Sequence, residues 1–201
     1  MDIVLATTNP HKLEEAIATL HPLGLRVIGL NDFDKSFEEP VEDAETFAGN
    51  AAIKAIGYAK MLGTRCLADD SGLVVDALGG RPGVHSARFA GIGATREQRD
   101  DANNKLLLKE LQKVSIDQRT ARFVCSMCVA EPDGNILARS EGFFEGLIIN
   151  KEMGKNGFGY DPLFFIPDLG VTSAEIDIHE KQKRSHRGQA LRLIAKHLIH
   201  K

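Results

Sequence analysis

Cys66-Leu67-Ala68-Asp69-Asp70-Ser71-Gly72-Leu73-Val74-Val75 sets two adjacent carboxylates, a hydroxyl and a glycine between two apolar runs. In an α/β protein, polar groups at the carboxyl end of a strand mark where ligands sit. Neighbouring strand residues point to opposite faces, which gives Asp69 and Asp70 different jobs. One braces a nearby loop or helix and the other faces a cleft. A carboxylate beside a hydroxyl, with a glycine that lets a ligand approach the backbone, suits a magnesium–phosphate site. The same residues also suit a plain turn that supplies hydrogen bonds and a tight bend.

At 201 residues the chain is long enough to bury a sizeable core as one domain, or as one fold with two lobes. No apolar run reaches the roughly 18–20 residues that span a bilayer. The first residues, Met1-Asp2-Ile3-Val4-Leu5-Ala6, are acidic where a signal peptide is basic, so they read as a first strand and the expected location is cytoplasmic. A net charge of −3 argues against a general nucleic-acid-binding surface, so an anionic ligand needs a local cluster of donors or a metal. Cys125 and Cys128 form a C-x-x-C inside a strand-like run, where residues three apart face opposite ways and cannot easily share a zinc or a disulfide. Together with Cys66 they are expected as core thiols.

Outward from the central stretch, residues 2–6 form a β-rich run. Leu13, Ala16, Ile17 and Leu20 then follow at helical spacing. Asn9 is a good N-cap and Pro10 a good first helical residue. That helix start, with Thr7, Thr8, His11 and Lys12, makes either a phosphate cradle or a well-capped helix with a surface lysine. Residues 31–43 are acidic and loop-like, and Glu42, close to the next helix, is the candidate to reach a metal. Residues 45–62 have helical periodicity, with Asn50 and Lys54 stacked one turn apart. Thr95-x-x-Gln98 is a capping box opening a structural helix. Residues 120–131 and 136–144 read as strands joined by Pro132-Asp133-Gly134-Asn135. In the glycine-rich loop at 154–165, Phe158 or Tyr160 can stack on a purine while Asp161 accepts hydrogen bonds; core aromatics between turn glycines are the alternative. The basic cluster Lys181 to Arg187, ahead of a last helix, is a second place for an anion or a polar base edge, or a charged surface turn.

Taken together, six motifs resemble the inosine/xanthosine triphosphate pyrophosphatase family, the house-cleaning enzymes that remove deaminated purine nucleotides. They are Thr7-Thr8-Asn9-Pro10-His11-Lys12, Glu45-Thr46-Phe47-Ala48-Gly49-Asn50-Ala51-Ala52-Ile53-Lys54, Leu67-Ala68-Asp69-Asp70-Ser71-Gly72-Leu73, Gly79-Gly80-Arg81-Pro82-Gly83, Gly157-Phe158-Gly159-Tyr160-Asp161-Pro162 and Ser185-His186-Arg187-Gly188-Gln189-Ala190-Leu191. Each is weak alone, but six in order from end to end are highly specific. The resemblance implies an elongated, two-lobed α/β fold around a long twisted mixed sheet with flanking helices, and a nucleotide cleft between the lobes. It also implies a single domain over residues 1–201, a homodimer and a need for Mg²⁺.

The resemblance further implies hydrolysis of ITP, dITP and XTP to the monophosphate and pyrophosphate, with water attacking the α-phosphorus. Thr7, Thr8, Asn9, Pro10, His11 and Lys12 would bind triphosphate, and Asn50 with Lys54 would line the same site. Asp70 would be catalytic carboxylate and metal ligand, Lys54 would share the catalytic work, and Ser71 would contact substrate. Phe158, Gly159, Tyr160, Asp161, Lys181, His186 and Arg187 would hold the base and sugar. Glu42 would be the second metal carboxylate. The acidic stretch before Thr46 is one residue shorter than the family's Glu-Glu-x-Gly-x-Thr-Phe, and Ala44 stands where that pattern has glycine. Two other readings remain open at this point: a nucleotide pyrophosphatase with another base preference, and a non-catalytic nucleotide-binding module.

Overall fold

The computed structural model describes residues 2–34 and 37–199; Lys35 and Ser36 of the acidic loop lie outside the described residues. Seven strands form one mixed sheet in the order β2-β1-β3-β4-β5-β6-β7. β1 (Asp2–Leu5) runs parallel to β2 (Arg26–Gly29) and to β3 (Cys66–Val75), with Val4 opposite Cys66 and Leu5 opposite Leu67. β4 is Thr120–Ala130 and β5 is Ile136–Ile148. β6 (Phe164–Ile166) is antiparallel to β5 and to β7 (Val171–Thr172). The helices are α1 (Pro10–Leu20), α2 (Phe47–Leu62), α3 (Arg96–Leu111), α4 (Ile178–Arg184) and α5 (His186–Ile199). This is the α/β mixed sheet with flanking helices that the motifs imply.

The chain divides into two compact units, Met1–Ser71 with Cys125–Gly142 and Ser185–Lys201, and Gly72–Val124 with Phe143–Arg184. The first unit has a core on each face of its strands, as period-two alternation dictates. Ile3, Leu5 and Leu67 pack with Ala16 and Leu20 of α1 and with Leu191 and Ile194 of α5. Val4, Ala6 and Ala68 pack instead with Ala51, Ala55 and Ala59 of α2, whose small side chains let the helix lie close to the strands. Cys125 belongs to the first of these cores and Cys128 to the second, so the C-x-x-C straddles the sheet. All three cysteines are free and buried, and burial pushes the Cys66 thiol up to about 12.

The second unit closes around Phe164, whose ring centroid lies 4.5 Å from that of Phe123 and 5.3 Å from that of Phe144. Leu73, Val75, Leu107 and Leu111 complete this core. After β3 the chain forms 3₁₀ turns at Asp76–Leu78 and Gly83–Arg88.

Three local readings change. The Asp-Asp-Ser-Gly stretch is no turn: β3 runs through it without a break, as the strand between β1 and β4 in the sheet order. β5 extends four residues past Phe144, where Leu147 and Ile148 pair with β6. The basic residues from Lys181 to Arg184 are helical rather than a surface turn. Asp177 begins that helix, its side chain accepting from the Glu180 N–H (2.9 Å) and its carbonyl from the Lys181 N–H (2.9 Å).

Gly72 also acquires a different role. The space beside its α-carbon is filled by Ser86, whose hydroxyl accepts from the Leu73 N–H at 2.8 Å, and the Gly83 carbonyl would lie 2.6 Å from an added Cβ. Glycine is needed there for packing within the second unit, not for the approach of a ligand. Gly72→Ala is therefore expected to destabilise the protein by about 1–3 kcal/mol, the usual range for overpacking. Urea unfolding checks this; a midpoint equal to that of the parent would refute it.

Candidate functional site

β3 presents Asp69 and Asp70 to opposite faces, and each gathers its own partners within the first unit. Asp69 turns toward α1 and α5. Lys12 Nζ lies 2.8 Å from its Oδ2, and Arg187 Nε donates to the same oxygen at 3.4 Å. Arg187 also donates to Glu15 Oε2 (2.5 Å) and to Ser71 Oγ (2.9 Å), and Ser71 Oγ donates to Asp69 Oδ2 (3.3 Å). Lys12 and Glu15 sit one turn apart on α1, so that helix supplies both a cation to Asp69 and an anion to Arg187. Burial alone would raise the Asp69 pKa. The charges of Lys12, Arg187 and Lys54 outweigh it and hold the carboxyl well below the usual carboxylate range.

Asp70 turns toward α2. Asn50 Nδ2 donates to its Oδ2 at 3.2 Å, and Lys54 Nζ donates to its Oδ1 at 3.3 Å and to Glu42 Oε2 at 2.9 Å. Asn50 is fixed from behind, since its Oδ1 accepts from the Ala44 N–H at 3.0 Å. Here the pKa moves the other way. Burial first, and then the Glu42 carboxylate, raise Asp70 above its ordinary value, against Lys54, Lys12 and the Asn50 hydrogen bond. Lys54 is pulled down by burial, yet Asp70, Asp69 and Glu42 together raise it, so it stays a cation.

The loop that delivers Glu42 is seated on α2 by close backbone contacts. Thr46 caps the helix, accepting from the Gly49 N–H at 3.1 Å. A Cβ on Gly49 would lie 2.6 Å from that of Ala44, and one on Gly57 would lie 2.6 Å from Pro40 Cγ. Ala44 is thus accommodated because the facing helical residue is glycine. At the start of α1, Asn9 accepts from the His11 N–H (3.1 Å) and donates its own N–H to Thr7 Oγ1 (3.2 Å). Thr7 is half-buried there, and Thr8, Pro10 and His11 are exposed. His186 opens α5, buried, one residue before Arg187.

A further cluster belongs to the second unit. Lys181 Nζ lies 2.5 Å from Asp161 Oδ2, which also accepts from the Phe158 N–H (2.9 Å), and Asp161 Oδ1 accepts from Ser173 Oγ (2.8 Å). Phe158 is half-buried, with the Arg96 guanidinium 4.4 Å and the Lys181 ammonium 5.5 Å from its ring centroid. Tyr160 packs in the core instead, its hydroxyl donating to the Ser86 carbonyl at 2.8 Å. Phe158, Gly159, Tyr160, Asp161 and Lys181 thus assemble in one unit, and the remaining candidates in the other.

Among the described residues, no group of three or more His, Cys, Asp or Glu side chains forms a metal cage. Magnesium does not require one, since it is commonly held by one or two carboxylates, water and substrate phosphates. Glu42, half-buried, and Asp70, buried, both meet Lys54 Nζ, so their oxygens form a hard two-carboxylate set suited to such an ion.

Glu15, Arg96, Asp100, Asn104 and Ser173 carry contacts that the sequence motifs did not single out. For Glu15 a signal existed: a carboxylate directly before buried Ala16, one turn beyond Lys12, sits on the inner side of α1.

Fold and site together define an α/β protein with a buried lysine–carboxylate cluster on its central strand. The chain belongs to the Ham1 family, whose model matches residues 3–197. It is 49% identical to the dITP/XTP pyrophosphatase of Desulforamulus reducens over 193 residues, covering 96% of this chain and 92% of that protein. It is also 49% identical to the dITP/XTP pyrophosphatase of an Exiguobacterium species over 199 residues, covering 99% and 97%. Among solved structures, the Coxiella burnetii HAM1 protein superposes with a TM-score of 0.86 at 39% identity, with both chains fully covered.

The Asp69 geometry leads to a pH prediction. Asp69→Asn removes one partner from buried cations and is expected to cost about 3–5 kcal/mol at neutral pH. The native Asp69 pKa lies below the unfolded value of about 3.9, so its contribution is complete above that value and is lost as pH falls through the depressed native pKa. The stability gap between parent and variant should therefore narrow from about pH 4 downward in acid unfolding followed by circular dichroism. A gap that stays constant into that range would show that Asp69 is not the charged anchor.

Proposed function

We propose that this protein hydrolyses deaminated purine nucleoside triphosphates (ITP, dITP and XTP) to the monophosphate and pyrophosphate. The carrying observation is the cluster of Asp70, Lys54, Glu42 and Asn50 in a Ham1 chain whose close relatives bear the name dITP/XTP pyrophosphatase. In the reaction NTP + H₂O → NMP + PPi, water attacks the α-phosphorus and the bond to the bridging oxygen of the departing pyrophosphate breaks. Asp70 orients that water and accepts its proton. Its raised pKa favours this role, because a base works best when its pKa approaches the working pH. Lys12 and Lys54 offset charge on the pyrophosphate. Thr7 to His11, at the helix start, bind the phosphates through N–H and hydroxyl groups, and Ser71 and Asn50 line the site.

Charge supports a metal. Glu15, Glu42, Asp69 and Asp70 set four carboxylates against the three cations Lys12, Lys54 and Arg187, which leaves the cluster net negative where a polyanion is to bind. Mg²⁺ held by Asp70 and Glu42 would neutralise phosphate charge and make bound water more acidic.

Phe158 offers its ring to the purine, with Gly159, Tyr160, Asp161 and Lys181 shaping that loop. His186 and Arg187 complete recognition of base and sugar. Arg187 uses three of its five N–H donors on Glu15, Asp69 and Ser71, so it retains donors for a 6-oxo group. Such donors meet the amino group of adenine unfavourably. We further propose that residues 1–201 act as one pyrophosphatase domain, as a cytoplasmic homodimer. No helix among the described residues is long and apolar enough to cross a membrane.

The test is pyrophosphate release from ITP, XTP, dITP, ATP, GTP and dUTP, with Mg²⁺ and with EDTA. Magnesium-dependent release confined to the first three is expected, and Asp70→Asn should lower it by at least ~10²–10⁴-fold while remaining folded. Near-full turnover by folded Asp70→Asn would remove Asp70 from the chemistry.

A further inference from the structure

α3 opens with the capping box seen in the sequence, and that alone reads as structural. Its polar stripe does more. Arg96, Asp100 and Asn104 recur every four residues, so they line one side of the helix over successive turns. Each meets a successive group of the Phe158–Gly159 segment within the second unit. The Arg96 guanidinium lies 4.4 Å from the Phe158 ring centroid. Asp100 Oδ2 accepts from the Gly159 N–H at 3.0 Å, and Asn104 Nδ2 donates to the Gly159 carbonyl at 3.1 Å. Both backbone polar groups of one loop residue are thus held by side chains from adjacent turns of a single helix.

The clamp is anchored at its own ends. Arg96 Nε stands 3.8 Å from Asp100 Oδ2, and Asn104 Nδ2 also donates to Glu152 Oε1 at 2.9 Å. Asn103, next to Asn104, donates to the Ser86 carbonyl (3.2 Å) that also receives the Tyr160 hydroxyl, so the following loop residue is tied to the same helix. Gly159 itself is left-handed at φ +62°, and a Cβ there would meet nothing within 4 Å. The backbone at this point is therefore fixed by its hydrogen bonds and not by side-chain packing around it.

We propose that Asp100 and Asn104 are positioning residues for base recognition: they hold the Gly159 peptide, and through it the Phe158 ring, in the geometry that selects an oxo-purine. This rests on the reading of Phe158 as the platform for the base. Loosening the clamp should impair binding of the base and leave chemistry at the α-phosphorus intact.

Asp100→Ala and Asn104→Ala are each compared with the parent, with Asp100→Asn, which keeps an acceptor for the Gly159 N–H, and with Phe158→Leu. Steady-state kinetics are measured on ITP and ATP with Mg²⁺, and thermal melts report folding. A rise in KM for ITP of about five- to fifty-fold is expected for the two alanine variants, the size of one lost hydrogen bond with or without a charge. Their kcat should stay within about twofold, the ITP/ATP preference should shrink, and Asp100→Asn should restore KM to within about threefold. Equal effects of Asp100→Ala and Asp100→Asn, or a loss confined to kcat, would overturn the proposal. Should Asp100→Ala not fold, Asn104→Ala decides it from the other end of the same peptide. If Phe158→Leu leaves KM for ITP unchanged, the platform reading itself fails. If Phe158→Leu raises KM while the clamp variants do not, only the clamp is wrong.

Discussion

Asp69 sits where β3, α1 and α5 meet, with a side chain only 2% exposed. A buried carboxylate is tolerable only when charges of opposite sign and hydrogen bonds replace the water it has lost. Lys12 and Arg187 do so, and Arg187 in turn is answered by Glu15 and shared with Ser71. The network draws its members from the first helix, the central strand and the last helix, so residues over a hundred positions apart in sequence are held to one point. Breaking any member leaves another buried charge unanswered, which gives these contacts more structural weight than an exposed ion pair.

One dipeptide therefore contains two opposite electrostatic environments. The pleat sends Asp69 to the α1/α5 side and Asp70 to the α2 side. Asp69 meets cations strong enough to overcome its burial, and it stays ionised. Asp70 meets one lysine that is shared with Glu42, and burial prevails. Separated pKa values in neighbouring titratable groups are a pattern by which acid–base roles are assigned, and here they separate a carboxylate held as an anion from the one proposed as the base. The small residues of α2 belong to the same logic. Ala51, Ala55 and Ala59 bring the helix close to the strands, so that Asn50 and Lys54 come within hydrogen-bonding distance of Asp70, at 3.2 and 3.3 Å.

Local signals in the sequence carry through to the structure. Asn9 caps a helix, Thr95 and Gln98 form a capping box, and Cys125 and Cys128 fall into different cores, all as period and cap chemistry require. The unbroken course of β3 is not legible in the sequence, because Asp-Asp-Ser-Gly has turn composition and only its place in the sheet makes it strand. Gly72 suggests, in sequence, an opening for a ligand, but Ser86, fourteen residues on, fills that space. No pattern within a segment could reveal that. Asp100 escapes for a related reason: a carboxylate on a helix looks like a solvated charge until the residue it faces is known.

Arg187 shows how far a motif can be carried by spacing alone. Its place in Ser185-His186-Arg187-Gly188 marks it for the base, yet the structure gives it three bonds to Glu15, Asp69 and Ser71 first. A flexible arginine would lose entropy on meeting a base, whereas one already fixed by two carboxylates presents its remaining donors at little further ordering cost. The same contacts that stabilise the first unit would then pre-organise recognition. On the proposed reading, fold and specificity meet in this residue through Asp69: the carboxylate that anchors Arg187 would bear on substrate choice as Asp70 would on the reaction.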